Sequence, residues 1–197
     1  MIRNPDKTKQ KILRKSGVLF NTRGYKATSI SDITTATGFT KGAIYRHFKS
    51  KGVLEKETLF HLSTIMFEIL RDRIKCENTA GDKLRAIFRY FESYIGNSEV
   101  RGGCPLMNAA IEADDGNPIL RKEAIKILDI LRHSVTSILE NGVRFQQIKK
   151  QTDLEFHATL IIASLEGAIM MSKLCGNNQD IKRVITHLEG VVKGIET

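Results

Sequence analysis

Apolar residues recur at spacings of three and four along almost the whole chain, and that period, more than any other feature, limits the folds open to it. Leu84, Ile87, Phe88, Phe91 and Ile95 form one such stripe. Leu120, Ile127, Leu128, Leu131, Val135, Ile138 and Leu139 form a second, and Ile181, Val184, Ile185, Leu188, Val191, Val192 and Ile195 a third. β-Branched residues seldom alternate with polar ones at period two, which argues against sheets. Three prolines in 197 residues leave long helices unbroken. The expectation is an all-α protein of about nine helices, and 41% hydrophobic residues supply a real core.

Helix ends are written locally. Asn4-Pro5 places a cap residue before a proline suited to the first helical position. The helix that follows turns Ile12, Leu13, Leu19 and Phe20 inward and stops at Gly24, a left-handed C-cap. Gly17 inside it costs about 0.5–1 kcal/mol relative to Ala, so packing must hold that helix. Ser29-Ile30-Ser31-Asp32 reads as a capping box opening a short helix that ends at Gly38. Thr40 caps a third helix to about Phe48, and Ser50 begins a long fourth. Gly142 closes the helix that starts at Asn117-Pro118, and Thr152-x-x-Glu155 caps the next one, to about Leu174. "RGGCPLMNAA" and "ADDGNP" read as breaks between helices, the acids of Asp114-Asp115 capping the second break.

Charge is the least evenly spread property. Residues 1–51 carry twelve Lys/Arg against two acids, a balance of +10, whereas residues 52–197 carry nineteen against twenty, a balance of −1. A basic module of that kind faces a polyanion. The stretch "GFTKGAIYRHFKSK", residues 38–51, concentrates the cations behind a glycine turn. Two short helices joined by Gly38-Phe39-Thr40 make a helix-turn-helix over about residues 29–48. Its second helix presents N-terminal residues to base edges in the major groove. Lys41, Gly42 and Ala43 stand at that end, where the helix dipole adds positive charge and small residues admit the backbone. Ile44 and Phe48 face inward, and Tyr45, Arg46 and His47 outward.

Other function classes find little support. Five scattered histidines show no metal-ligand spacing, and no nucleophile elbow or phosphate loop is present, so neither an enzyme nor a metal or cofactor site is expected. Cys76, Cys104 and Cys175 are odd in number and widely spaced, which suits a reducing cytosol. No apolar leader opens the chain, and the apolar "LIIASLEGAIMM" is interrupted by Glu166, so no secretory signal and no membrane span are expected.

The stretch "TSISDITTATGFTKGAIYRHFKSKGVL", with "KILRKSGVLFNTRGYKATS" before it, closely resembles the DNA-binding module of the TetR family of bacterial transcriptional repressors. The resemblance covers about residues 8–60 and rests on the K-G-x-x-Y-x-H-F-x-x-K pattern behind "GY-x-AT". Thr34, Thr37, Phe39, Thr40 and Gly52 depart from the family's habit. The resemblance implies a homodimer on a pseudo-palindromic operator of double-stranded DNA, and the cysteine usage above leads to the expectation of a cytoplasmic location. It divides the chain into a DNA-binding domain at residues 1–50 and a helical ligand-binding and dimerisation domain at 51–197. By motif position, Thr28, Thr40, Lys41, Gly42, Ala43, Tyr45, Arg46, His47 and Lys51 are the implied DNA contacts.

The remaining chain suggests how such a regulator is assembled and controlled. Ala163, Ser164, Gly167 and Ala168 give small-residue spacings on the helix at 153–174, and Val184, Leu188 and Val191 follow on the last one. These residues are the expected dimer face. Phe67, Phe88, Phe91, Met107, Phe145 and Met170 are candidate walls for a small hydrophobic inducer. "GGCPLMNAAIEA" resembles a Gly-Cys-Leu-x-x-x-x-x-x-E segment of one branch of the family, in which some members sense electrophiles through a cysteine at this point. Free cysteine is more often a small buried apolar residue, and Cys104 is read that way. The rival reading is an architectural DNA binder that answers to no ligand.

Overall fold

The computed structural model of the protein describes residues 5–96, 100–113 and 115–197. Among these residues it contains nine helices: α1 (Pro5–Arg23), α2 (Ile30–Thr37), α3 (Lys41–His47), α4 (Lys51–Lys75), α5 (Ala80–Glu92), α6 (Pro105–Ala113), α7 (Pro118–Arg144), α8 (Leu154–Cys175) and α9 (Gln179–Ile195). No strand forms among them, and one isolated antiparallel bridge joins Ile148 to Glu196. The all-α expectation holds. The caps expected at Asn4 and Asp114 lie outside the described residues. The chain divides into two compact units, residues 1–65 with 100–127 and residues 66–99 with 128–197.

In the first unit Ile12, Leu13, Phe20, Tyr25, Ile33, Ile44, Phe48, Leu54, Leu59 and Leu62 form the core. Each large side chain of that kind contributes about 1.5–3 kcal/mol by leaving water. Gly17 is the contact point of α1 and α4: a Cβ there would stand 2.8 Å from Leu62 Cδ2. The helix tolerates glycine at that position because the crossing requires it.

The second unit is centred on α5, whose Leu84, Ile87, Phe88 and Phe91 are buried as the periodicity requires. Tyr90, Phe91 and Tyr94 pack edge to face around one another, with centroids 5.3–5.8 Å apart. Arg85 donates to both carboxylate oxygens of Glu196, at 2.8 and 2.9 Å, fastening α5 to the end of α9. Ser172 of α8 accepts from the backbone N–H of Ile181, which ties α8 to α9 in a buried position.

Four local expectations are corrected. "CPLMNAA" is not a break but the first part of α6, which starts at Pro105 with the Cys104 carbonyl accepting from Asn108 N–H. Proline at the first helical position favours this start. Gly142 does not close α7, which continues to Arg144. Its missing side chain makes room instead, since a Cβ would lie 2.4 Å from Ile148 Cγ1 and 2.7 Å from Ala80 Cβ. The cap of α8 is Asp153, whose carboxylate accepts from Phe156 N–H, rather than Thr152. α8 is also long and apolar enough by itself to cross a membrane, despite Glu166, and less than half of its most apolar window is buried.

Candidate nucleic-acid interface

Caps build the helix-turn-helix from the chain outward. Ser29 accepts from Asp32 N–H while the Asp32 carboxylate accepts from Ser29 N–H, so two otherwise orphaned donors at the start of α2 are satisfied together. The Ser29 hydroxyl and N–H hold the Asp32 carboxyl below its ordinary range, with Arg23 adding to the effect. At the far end Gly38 adopts φ 72° and its N–H reaches Thr34 O, a turn no β-carbon favours. Thr40 then accepts from Ala43 N–H, which starts α3. Ile44 and Phe48 anchor α3 in the core, and this fixes which face is left open.

That open face carries the cations. Thr40, Lys41, Gly42, Tyr45 and Arg46 are exposed, and Ala43 and His47 half-exposed. Nothing lies within 4 Å of where a Gly42 Cβ would be, so the start of α3 is free to approach a second surface. The Lys41 ammonium stands 6.0 Å from the Tyr45 ring centroid, aligning the two along one edge. On α1, Lys11 lies 4.9 Å from the centroid of the Phe39 ring in the turn, and Lys9 pairs with Glu57 at 2.7 Å.

Two of the implied DNA contacts have their side chains engaged within the chain. The Thr28 side chain is fully buried and its hydroxyl donates to Gly24 O at 2.7 Å, closing the turn between α1 and α2. Lys51 donates to Tyr25 O at 2.8 Å and pairs with Glu55 at 3.3 Å, so its ammonium serves the same turn.

This geometry has counterparts among known proteins. Residues 12–58 match the model for bacterial regulatory proteins of the tetR family, and residues 80–188 match that for the tetracyclin repressor-like C-terminal domain. The chain belongs to the TetR family. It is a helix-turn-helix transcriptional regulator, of a family that is non-enzymatic. The TetR-family regulator of Chloroflexus aurantiacus J-10-FL superposes with a TM-score of 0.93 at 32% identity, covering 98% of this chain and 97% of that one. The one from Cytophaga hutchinsonii gives 0.92 at 30% identity, over 100% and 98%. The transcriptional repressor DhaR of a Mycobacterium species, strain GP1, is 24% identical over 186 residues, spanning 94% of this chain and 91% of that protein.

Candidate residues beyond the TetR-type recognition helix are more dispersed. Phe88 and Phe91 are each about 1% exposed and leave almost no surface accessible even to water. Phe67 and Met107 are half-buried. Phe145 and Met170 are 64% and 46% exposed, so in the single chain they line no enclosed space; the turn after α7 and the outer face of α8 put them in solvent. Of the expected dimer face, Ala163 is exposed, and Ser164, Gly167, Val184 and Val191 are half-exposed. Ala168 and Leu188 are buried within the protomer, on two helices that pack on each other. Sequence reasoning missed Tyr25, 1% exposed and stacked on Phe20 at 4.9 Å. Its signal was the aromatic of "GY-x-AT", just after a helix-ending glycine.

Proposed function

We propose that the protein is a ligand-responsive repressor that binds a pseudo-palindromic operator as a homodimer and is released by a small hydrophobic inducer. The observation that carries this reading is α3: a capped helix held by Ile44 and Phe48, with Lys41, Tyr45 and Arg46 on an unobstructed face. In the proposed interface Gly42 and Ala43 admit the backbone to the groove, and Tyr45, Arg46 and His47 reach phosphate or base edges. Residues 1–50 would read DNA, and residues 51–197 dimerise and take the inducer in the cytoplasm. Thr28 would contribute through its main chain, and Lys51 by steadying the turn at Tyr25.

The exposed apolar side chains of α8 support the dimer. Phe156, Met170, Met171 and Leu174 are 46–84% exposed on a helix that a second copy would cover. The same pairing accounts for a helix apolar enough to span a bilayer in a chain whose first unit is built to meet DNA. The test is selection of bound duplexes from a random DNA pool, followed by sedimentation of protein and complex. Inverted half-sites about one helical turn apart, bound by two protomers, are expected. Enrichment of no sequence would overturn the repressor reading in favour of an architectural DNA binder.

A further inference from the structure

We propose that Glu112, outside the helix-turn-helix, is a positioning residue for operator recognition, acting through the backbone of the turn between α1 and α2. Its carboxylate accepts two successive main-chain donors, Tyr25 N–H on Oε1 and Lys26 N–H on Oε2, both at 2.9 Å. Charge-assisted bonds of this kind are stronger than neutral ones, and a pair of them fixes direction as well as distance. Lys51 grips the same turn from its carbonyl side, at Tyr25 O. The Tyr25 ring, buried and stacked on Phe20, keeps the turn from rotating about that grip.

One turn earlier on α6, Asn108 Nδ2 donates to Asn21 O and Asn21 Oδ1 at 3.1 and 2.9 Å. Asn21 Nδ2 in turn donates to Arg101 O and Gly103 O, both at 2.9 Å. Two glycines make the approach possible. Gly102, at φ 110°, would put a Cβ 2.3 Å from Asn21 O, and Gly24, at φ 96°, would put one 2.8 Å from Glu112 Oε1. α6 and the loop before it are therefore keyed to the last turn of α1 and to the turn that launches α2. Ser29 caps α2 three residues after Lys26, and α2 hands its direction to α3 through Gly38. The path of the chain at residues 25–26 thus sets the orientation of the helix that reads bases. This also gives a physical role to the glycine and the terminal Glu in "GGCPLMNAAIE".

The inference rests on the proposed operator-binding function. Base readout depends on orientation, whereas non-specific binding depends on how many phosphates are neutralised. Glu112 supplies no cation, so its removal separates the two. Full-length Glu112→Gln should bind a duplex selected from the random pool about tenfold more weakly, the scale of losing one charge-assisted bond. Binding to a scrambled duplex of equal length, and the log–log salt slope, should not change. Amide exchange at Tyr25 and Lys26 should quicken in the same variant. Glu112→Asp, which keeps the charge but not the reach, gives the same comparison if the Gln variant melts too low to assay. Equal affinity for the selected duplex, or an equal loss on both duplexes, overturns the inference. A parent protein that selects no duplex removes the function beneath it, and both fall.

Discussion

Lys41 and Tyr45 lie one turn apart on the open face of α3, and neither supports the core. Lys41→Ala should leave the melting temperature unchanged and weaken operator binding. It should also flatten the log–log salt slope by about one unit per protomer, the signature of a lost phosphate contact. A DNA titration at several salt concentrations measures this, and unchanged affinity would take the reading role away from α3. Tyr25 makes the opposite kind of prediction. Burial pushes its phenol well above the ordinary value, with Glu112 and Glu55 adding to the rise. The folded protein therefore holds a proton that the unfolded chain loses above about pH 10. Stability from this residue is complete below that pH and falls as pH rises toward the folded value. The Tyr25 hydroxyl has no hydrogen-bond partner among the described residues, so Tyr25→Phe loses no bond. The variant should be at least as stable as the parent at neutral pH and should lose less stability on going alkaline. Paired thermal melts from pH 8 to 11 compare the two, and parallel curves would contradict the prediction.

Helix by helix, what the sequence made legible was what is encoded within a few residues. The capping box at Ser29, the glycine turn at Gly38 and the cap at Thr40 are short-range devices, and α2 and α3 sit where those residues predict. α6 escaped because Gly-Gly-Cys-Pro carries loop signals. Its helix is secured by contacts 87 residues away in sequence, Asn108 with Asn21 and Glu112 with Tyr25. Gly142 misled for a related reason, since its small size answers to Ile148 and Ala80 rather than to a helix end. In α8 the small-residue spacing spoke to two neighbours at once. Ala168 packs within the protomer, whereas Gly167 has nothing within 4 Å of its missing Cβ. That difference sharpens the test of the dimer. The β-carbon of Gly167→Leu enters open space within one protomer, so weakened self-association points to a second copy, where overpacking costs about 1–3 kcal/mol. Sedimentation should show weaker self-association, about tenfold or more. A variant as dimeric as its parent would move the interface off this helix.

For the whole molecule, the proposed regulation requires that inducer and operator prefer different states of the proposed dimer. The second unit offers a tightly packed aromatic centre at Phe88, Tyr90, Phe91 and Tyr94, with the Tyr90 and Tyr94 hydroxyls 3.1 Å apart. Because Phe88 and Phe91 leave almost no accessible surface, a ligand reaching them must open a space that this state keeps closed. Its binding energy then selects another state rather than filling a waiting cavity. Residues 52–197 carry a balance of −1, which favours a neutral or weakly charged hydrophobic compound over a strongly ionic one. In the proposed dimer, operator binding would set the recognition helices about 34 Å apart, one turn of DNA, and a state with any other spacing would not engage both half-sites. A ligand that prefers such a state by about 100-fold per site supplies about 2.7 kcal/mol toward release. Small hydrophobic compounds screened by thermal shift should therefore yield hits that raise the melting temperature and, added to the protein–operator complex, free the DNA in proportion to occupancy. Charged analogues of the same size should shift neither. If every stabilising compound leaves operator binding untouched, the inducer has no place in the mechanism, and the protein holds its DNA without a ligand switch.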